Sequence, residues 1–377
     1  MSTSEITHLH ATEDSEPLMT LEYVCKAFIK YKASDLHLKA GRPPLYRIDG
    51  RLIPSKMKEL DQSSIERLLK EVLTKEQIQV LKKKRNVDFS IRFEKLGRFR
   101  FNVFFQKSML SAVIRRVPFE IPRLETLGVP LVLKKLAFEK RGLLLITGPT
   151  GSGKSTTLAS LVQYINRKKY SHVLTLEDPI EFEYVDLKST ITQREIGTDA
   201  LDYHSALMAG LRQDPDVIVM GELREPEVIR IALTAAETGH LVIATLHTND
   251  VMSSLDRIMD VFPGGEKEQV RLQLASTLVG IVSQQLIEKK DKKGRVLASE
   301  VLVQSSTIEN LMAKGAMDQI PEVMRESFDY HGMQTMNKDL KRLVLENQIS
   351  EKIAIKHSYQ PDDLKLSLSH FGDDIDL

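Results

Sequence analysis

The sequence predicts an α/β protein in which a parallel sheet with flanking helices follows a smaller α+β module. In the second half of the chain, short apolar runs of strand length alternate with helical patterns, which is the order expected of a parallel sheet. The first part instead mixes alternating strand patterns with helical stretches. A glycine-rich loop at residues 148–155 joins an apolar run to a helical pattern, as a phosphate-binding loop requires.

The first domain is predicted for residues 18–117, after a polar and acidic extension at residues 1–17 that we expect to be disordered. Two prolines, Pro118 and Pro122, disfavour helix and predict an interdomain linker at residues 118–124. The patterns within the domain predict helices at 18–31 and, singly or as a pair, at 63–84, and strands at 36–38, 45–48, 89–93 and 98–105.

The second domain is predicted for residues 125–359, followed by a polar tail at residues 360–377. Its strands are predicted at 143–147, 173–177, 216–220 and 241–246, each separated from the next by a helical pattern. After Gly264 the pattern turns helical. Ligands of such open sheets bind at the carboxyl ends of the strands, so we expect the chemistry there.

Charge and cysteine content exclude several classes of protein. The 53 basic and 52 acidic residues leave a net charge of +1, so no global field draws the chain to nucleic acid or an anionic membrane. The single cysteine, Cys25, rules out an intramolecular disulfide and a multi-cysteine zinc site. No apolar run reaches the roughly 18 residues of a membrane span, so we expect a cytoplasmic protein with no transmembrane segment and no nucleic-acid partner.

The glycine-rich loop fits the pattern G-x-x-x-x-G-K-[ST] and predicts binding of ATP with Mg²⁺. Its backbone N–H groups can approach phosphate oxygens at a helix start, Lys154 can reach the β and γ phosphates, and the Ser155 hydroxyl can ligate Mg²⁺. The predicted cofactor-binding residues of the loop are Gly148, Pro149, Thr150, Gly151, Ser152, Gly153, Lys154, Ser155 and Thr156.

Three functional side chains are predicted at the ends of the other apolar strands: Glu177, Glu222 and His247. A hydrolysing ATPase needs a carboxylate for the attacking water and another near Mg²⁺. The strand before Glu222 ends in Gly221, where the common motif has a Mg²⁺-binding aspartate. We therefore expect Mg²⁺ to depend on Ser155, phosphates and water, with Glu222 as the nearby acid.

The chain resembles the PilT/PilU branch of secretion ATPases, the retraction motors of type IV pili. The loop is similar to the family's Walker A motif, and Leu176-Glu177-Asp178-Pro179 is similar to its Asp box. The remaining matches are an atypical Walker B at residues 211–222, a His box at 238–248 and a first-domain motif at 33–44. The match extends over most of residues 18–355.

The resemblance implies a hexameric ring in which nucleotide binds between the PAS-like domain of one subunit and the RecA-like domain of the next. It implies action on an inner-membrane platform protein, and hence a peripheral location at the pilus base. Within the site it implies that Glu177 activates water, and that Glu222 and His247 sense the γ-phosphate and Mg²⁺.

Several arginines are candidates by the same resemblance. Arg194 and Arg212 match arginines of the family's motifs and are predicted to neutralise phosphate charge. In the first domain, Arg115 is the candidate that completes a neighbour's nucleotide site, together with Arg98, Arg100 and Arg116. An exposed or ion-paired structural arginine is the competing interpretation for each.

Residue Glu309 stands where PilT-type motors carry arginine, and it leaves open whether the chain is a main or a PilU-like accessory motor with a second PilT-type ATPase as partner. A zinc-containing assembly ATPase is excluded by cysteine content. Two other functions stay open: a regulatory subunit that binds nucleotide without hydrolysis, and a nucleic-acid translocase. The translocase rests on lysine-rich runs at residues 82–85 and 289–293, which lack interleaved aromatics.

Overall fold

The computed structural model describes residues 19–48, 50–117, 120–327 and 332–369. The chain divides into two compact units, residues 1–119 and 120–377, and each has its own sheet and hydrophobic core. The extension expected at residues 1–17 lies outside the described residues, as do Pro118 and Phe119 of the expected linker. The mixed α/β class expected from the sequence is confirmed.

The first unit is built on a six-stranded antiparallel sheet of order β3-β2-β1-β6-β5-β4. The elements are α1 (Leu21–Lys30), β1 (Asp35–Lys39), β2 (Leu45–Ile48), β3 (Arg51–Pro54), α2 (Gln62–Lys70), α3 (Lys75–Lys84), β4 (Asn86–Phe93), β5 (Gly97–Gln106) and β6 (Met109–Arg116). The stretch expected as a helix or helix pair is two helices, because Thr74 and Gln77 form a capping box that starts α3.

The second unit contains a seven-stranded sheet with helices along the chain between its strands. Its elements up to the last parallel strand are α4 (Val132–Leu136), β7 (Gly142–Thr147), α5 (Lys154–Lys168), β8 (His172–Glu177), β9 (Thr190–Glu195), α6 (Tyr203–Gly210), β10 (Val217–Met220), α7 (Pro226–Glu237), β11 (Leu241–Leu246), α8 (Val251–Asp260), α9 (Gly264–Thr277) and β12 (Leu278–Glu288). The remaining elements are β13 (Arg295–Val303), α10 (Ser306–Lys314), α11 (Ile320–Glu326), α12 (Met336–Leu345), α13 (Glu351–His357) and α14 (Pro361–Ser369).

The sheet order is β13-β12-β7-β11-β10-β8-β9, and every pair is parallel except β12 with β13. All residues of β7, β10 and β11 are buried, which is typical of parallel strands covered on both faces. Because the strands are parallel, their carboxyl ends meet at one edge. No helix within the described residues combines the length and the apolar character needed to cross a bilayer.

The helical pattern expected after Gly264 is confirmed for α9 and for the elements after β13. It was wrong for residues 278–303, where β12 and β13 form a hairpin that joins the sheet beside β7. The first seven residues of β12 are buried, and a continuous buried apolar run cannot be assigned to strand or helix by periodicity. The sequence also gave no signal for β9, whose polar segment Thr190–Glu195 occupies the sheet edge. Pairing with β8 decides its conformation.

The expected polar tail at residues 360–377 was wrong for its first part, which forms α14. Leu364 is fully buried there and packs in a third apolar cluster with Leu340, Leu343 and Ile349. A surface helix can dock through very few apolar side chains while the rest of its residues stay polar, so composition alone suggested a tail. The residues after Ser369 lie outside the described residues.

We predict that Leu364→Ala loosens the docking of α14, because removing a buried leucine typically costs about 2–5 kcal/mol. Hydrogen exchange of the α12 and α14 amides should accelerate in this variant. Leu366→Ala on the same helix is the control, since Leu366 is 62% exposed and its truncation should leave the exchange unchanged. Equal exchange in the two variants would contradict the packing of α14.

Candidate functional site

The glycine-rich loop leads from β7 into α5, and its backbone can be formed only by glycine at key points. Gly148 has φ +143°, and a Cβ there would lie 2.4 Å from the Gln284 carbonyl oxygen and 2.5 Å from Ser152 Oγ. Gly151 and Gly153 also have positive φ, at +82° and +94°, in the region that favours glycine. The loop therefore wraps closely around the first turn of α5.

The side chain of Lys154 lies inside this loop at the start of α5. It is only 7% exposed, and its Nζ donates to the carbonyl oxygens of Gly148 at 2.7 Å and Pro149 at 3.1 Å. Burial lowers the pKa of the Lys154 ammonium, while the Glu222 carboxylate acts in the opposite sense. The positive end of the 15-residue α5 lies at the same place and favours bound anions.

A cavity of about 530 Å³ opens beside the loop at the carboxyl edge of the sheet. It brings together most of the residues expected to act: Thr150, Gly151, Gly153, Lys154, Ser155, Thr156, Glu177, Glu222 and His247. Gly148, Pro149 and Ser152 shape the loop from behind and do not line the cavity. Ser152 Oγ is buried and finds no hydrogen-bond partner within the described part of the chain.

Glu177 ends β8 and is held in one orientation by three donors. Thr175 Oγ1 and Gln193 Nε2 donate to its Oε1 at 2.7 Å and 3.1 Å, and the backbone N–H of Glu181 donates to its Oε2 at 3.3 Å. Burial raises the pKa of the Glu177 carboxyl, and these hydrogen bonds offset part of that effect. A raised pKa makes a carboxylate a better proton acceptor near neutral pH.

Glu222 follows β10, and one of its carboxylate oxygens contacts both an arginine and a histidine. Its Oε2 lies 2.6 Å from Arg224 Nη2 and 3.4 Å from His247 Nε2. The other ring nitrogen of His247, Nδ1, lies 3.4 Å from Thr150 Oγ1 in the loop. Burial and, next, the nearby Lys154 charge lower the pKa of His247, so the ring is largely neutral at pH 7.

The structure explains why a glycine stands at the end of β10. A Cβ at Gly221 would lie 3.0 Å from the Tyr203 hydroxyl, with the Leu176 carbonyl oxygen at 3.5 Å. The Gly221 carbonyl accepts a short hydrogen bond from Thr245 Oγ1. Tight packing here leaves little room for an aspartate, so the acidic group comes from the next residue, Glu222.

Two of the expected catalytic arginines are not brought to the cavity. Arg194 lies on β9 next to Gln193, and neighbouring residues of a strand face opposite sides of the sheet. Gln193 therefore reaches Glu177. Arg194 instead donates to the Asp199 carbonyl oxygen at 2.8 Å. Arg212 is exposed and precedes β10, which places it at the amino edge of the sheet. Their assignment to catalysis within this subunit lacks geometric support.

In the first unit, Arg115 is paired with a buried acid. Its Nη2 lies 2.7 Å from Asp35 Oδ1, because Asp35 and Arg115 are directly opposite on β1 and β6. Asp35 also faces Arg47 on the neighbouring strand β2, and Arg115 faces Arg100 on the neighbouring strand β5. The Arg115 side chain nevertheless remains 65% exposed, so the ion pair orients the guanidinium without burying it.

Sequence reasoning missed several residues of the site. Gln193 had no signal because β9 was not foreseen, and Arg295 lines the cavity only because β13 returns beside the loop, where its Nη1 lies 3.5 Å from the Gly151 carbonyl oxygen. Arg224 stands two residues after Glu222 and could have been found from that spacing. Together the residues offer an anion cradle, a half-buried carboxylate proton acceptor and a second carboxylate beside a neutral histidine.

Residues 11–367 match the family described as Type II/IV secretion system protein. The type IV pilus retraction ATPase PilT of Pseudomonas aeruginosa is 42% identical over 333 residues, which are 88% of this chain and 96% of that protein. The type IV pilus ATPase PilU of the same organism is 36% identical over 350 residues, covering 93% of this chain and 91% of PilU.

The fold is also similar to a solved structure described as the pilus retraction motor PilT with bound ADP. The TM-score is 0.87 at 42% sequence identity, and the match covers 92% of this chain and 99% of the other. At this coverage the similarity extends into both units of the chain.

We predict that Gly148→Ala weakens nucleotide binding by more than about tenfold, because the added Cβ would clash with backbone and force the loop to move. Titration with a fluorescent ATP analogue measures the affinity. Gly197→Ala is the matched control: its φ is +83° and no heavy atom lies within 4 Å of the added Cβ. Wild-type affinity in Gly148→Ala would show that the loop does not hold the nucleotide as argued.

Proposed function

The chain belongs to the type II/IV secretion system protein family, within its PilT/PilU group of ATPases, and on that premise we propose that it is a motor that hydrolyses ATP to retract type IV pili. The observation that carries the proposal is the convergence of Lys154, Glu177 and Glu222 on one cavity beside the loop. A proton acceptor and a phosphate cradle in one place are what hydrolysis of a phosphoanhydride requires.

The donor set of the cavity suits ATP and Mg²⁺. The loop N–H groups and Lys154 would bind phosphate oxygens, since loops of this kind cradle phosphates with their backbone. The exposed Ser155 hydroxyl and the Glu222 carboxylate line the same cavity, and hard oxygen donors are the ligands that Mg²⁺ prefers. When bound, Mg²⁺ neutralises charge that develops on the phosphates.

Glu177 would accept the proton of the attacking water. Its carboxylate is fixed by Thr175, Gln193 and the Glu181 N–H, so it need not reorient during the reaction. Glu222 and His247 would respond to the γ-phosphate, because both lie beside Lys154 and His247 also touches Thr150 of the loop. Arg224 would hold Glu222 in place.

The active assembly in this proposal is a hexameric ring that joins the PAS-like first unit of one subunit to the RecA-like second unit of the next. The exposed guanidinium of Arg115, oriented by Asp35, supports a role on a neighbour's nucleotide. The ring would work in the cytoplasm at the pilus base and act on an inner-membrane platform protein.

The role within a pilus machine, main or accessory, stays a prediction. Glu309 is exposed on α10 and is available to a partner, which favours an accessory role beside a second PilT-type ATPase. Identity to PilT is higher than to PilU, which favours a main motor. A regulatory subunit without hydrolysis is disfavoured by the presence of Glu177 and Glu222 in one cavity.

We predict that Lys154→Ala weakens ATP binding by about 10- to 100-fold, the loss expected for a charge-assisted hydrogen bond, and abolishes hydrolysis. Glu177→Gln should instead retain ATP binding while kcat falls by about 10²–10⁴-fold, because only the proton acceptor is removed. Steady-state turnover and nucleotide titration on purified protein measure the two effects.

The control for the loss of a charge is Lys168→Ala, which should behave as the wild type. Lys168 is an exposed lysine at the far end of the same helix, α5. Wild-type turnover in Lys154→Ala would overturn the ATPase site. Equal loss of binding in Glu177→Gln would make Glu177 a structural residue.

We further predict that mixing Lys154→Ala subunits with Arg115→Gln subunits restores part of the turnover. A ring with sites shared between neighbours regains an intact site wherever the loop of an Arg115→Gln subunit meets Arg115 of a Lys154→Ala subunit. Lys154→Ala mixed with Glu177→Gln is the control and should show no rescue, because both residues belong to the same cavity. No rescue with Arg115→Gln at any ratio would exclude Arg115 from a neighbour's site.

A further inference from the structure

The loop after β11 carries His247 and is held through its backbone. It runs from His247 to Asp250, which caps the start of α8 by accepting from the Ser253 N–H. In the middle of the loop, the Asn249 carbonyl oxygen accepts two hydrogen bonds: one from Ser283 Oγ at 2.7 Å and one from Tyr359 Oη at 2.5 Å. Ser283 belongs to β12 in the sheet, whereas Tyr359 belongs to the C-terminal segment between α13 and α14.

Tyr359 is in turn fixed by two other parts of the second unit. Its hydroxyl accepts from Gln285 Nε2 at 2.6 Å, and Gln285 Oε1 lies 3.0 Å from His357 Nδ1 at the end of α13. Burial raises the pKa of the Tyr359 hydroxyl to about 12. The hydroxyl therefore keeps its proton at neutral pH and remains a donor to Asn249.

The backbone around Tyr359 is tied to α12. Asn337 Nδ2 donates to the Gln360 carbonyl oxygen at 2.9 Å, and Ser358 Oγ donates to Asn337 Oδ1 at 2.6 Å. The buried Leu364 then docks α14 on the same helix. A continuous set of contacts thus runs from the last three helices, through one hydroxyl, to the loop that carries His247.

We propose that Tyr359 is a positioning residue for ATP hydrolysis. Its hydroxyl fixes the loop that carries His247 by donating to the Asn249 carbonyl oxygen. The C-terminal helices, which hold Tyr359, thereby help to position His247 at the nucleotide. The inference rests on the proposed function, because it assigns to His247 a role in hydrolysis. It gives a task to the end of the second domain, next to the helix α14 that had been expected to be part of a polar tail.

The geometry of His247 makes it sensitive to this support. Its two polar contacts, to Glu222 Oε2 and Thr150 Oγ1, are both 3.4 Å long, near the outer limit for a hydrogen bond. A loop shift of a few tenths of an ångström would lose one or both. Among the described residues, Thr248 Oγ1 is held by Ser254 Oγ at 2.6 Å and the Asn249 carbonyl oxygen by Ser283 and Tyr359, so loss of Tyr359 Oη removes one of the two hydrogen bonds on Asn249.

The test is Tyr359→Phe, which removes the hydroxyl and keeps the ring. We expect kcat for ATP to fall by about 3- to 10-fold, which is the size of one neutral hydrogen bond, with KM and ADP affinity unchanged. Tyr170→Phe is the matched control, since Tyr170 is 82% exposed on the surface after α5 and should retain wild-type kcat. An unchanged kcat in Tyr359→Phe would overturn the proposal.

A second background separates positioning from a general structural effect. In a His247→Asn protein, measured by single-turnover hydrolysis to resolve low rates, Tyr359→Phe should cause no further loss, because its effect passes through His247. An equal fold-loss in both backgrounds would overturn the proposal while leaving ATP hydrolysis established. Wild-type turnover in His247→Asn would overturn it too, and absence of turnover in the unsubstituted chain would contradict the proposed function itself.

Discussion

The parallel hydrogen bonding of β8, β10, β11 and β7 is the constraint on which the site depends. The register pairs Met220 with Leu176 on one side and with Ala244 on the other, so adjacent strands end at nearly the same level. The residue that follows each strand is therefore delivered to the same edge. This is why Lys154, Glu177, Glu222 and His247, which are far apart in the sequence, share one cavity.

Because the strand ends meet, several charged side chains lie close together in the cavity and need compensating partners. A buried lysine, two carboxylates, an arginine and a histidine lie close together in a partly enclosed space, where unpaired charges are expensive. Each is compensated: Lys154 by loop carbonyls, Glu222 by Arg224, and Glu177 by neutral donors. Because Glu177 has no cationic partner among these contacts, it keeps the raised pKa that suits proton transfer.

The site also depends on parts of the fold that contribute no strand end to it. The hairpin of β12 and β13 supplies Arg295 beside the loop and Ser283 beneath Asn249. The segment between α13 and α14 supplies Tyr359. These contacts anchor the loops from behind, and loops that bind phosphate work best when their supports are rigid. The second unit therefore acts as one support for the nucleotide.

Motif spacing and apolar strands with polar ends are local signals, and they were enough to predict the α/β class and the glycine-rich loop. They also identified Lys154, Glu177, Glu222 and His247 as candidate residues. The remaining features depend on long-range contacts. Strand β9, the hairpin of β12 and β13, and the docking of α14 depend on partners far along the chain, so periodicity could not assign them. For the same reason Gln193, Arg295 and Tyr359 were not foreseen. Arg194 and Arg212 do not line the cavity, which their motifs could not indicate, because a local motif specifies neither the face of a strand nor the edge of a sheet on which a residue lies.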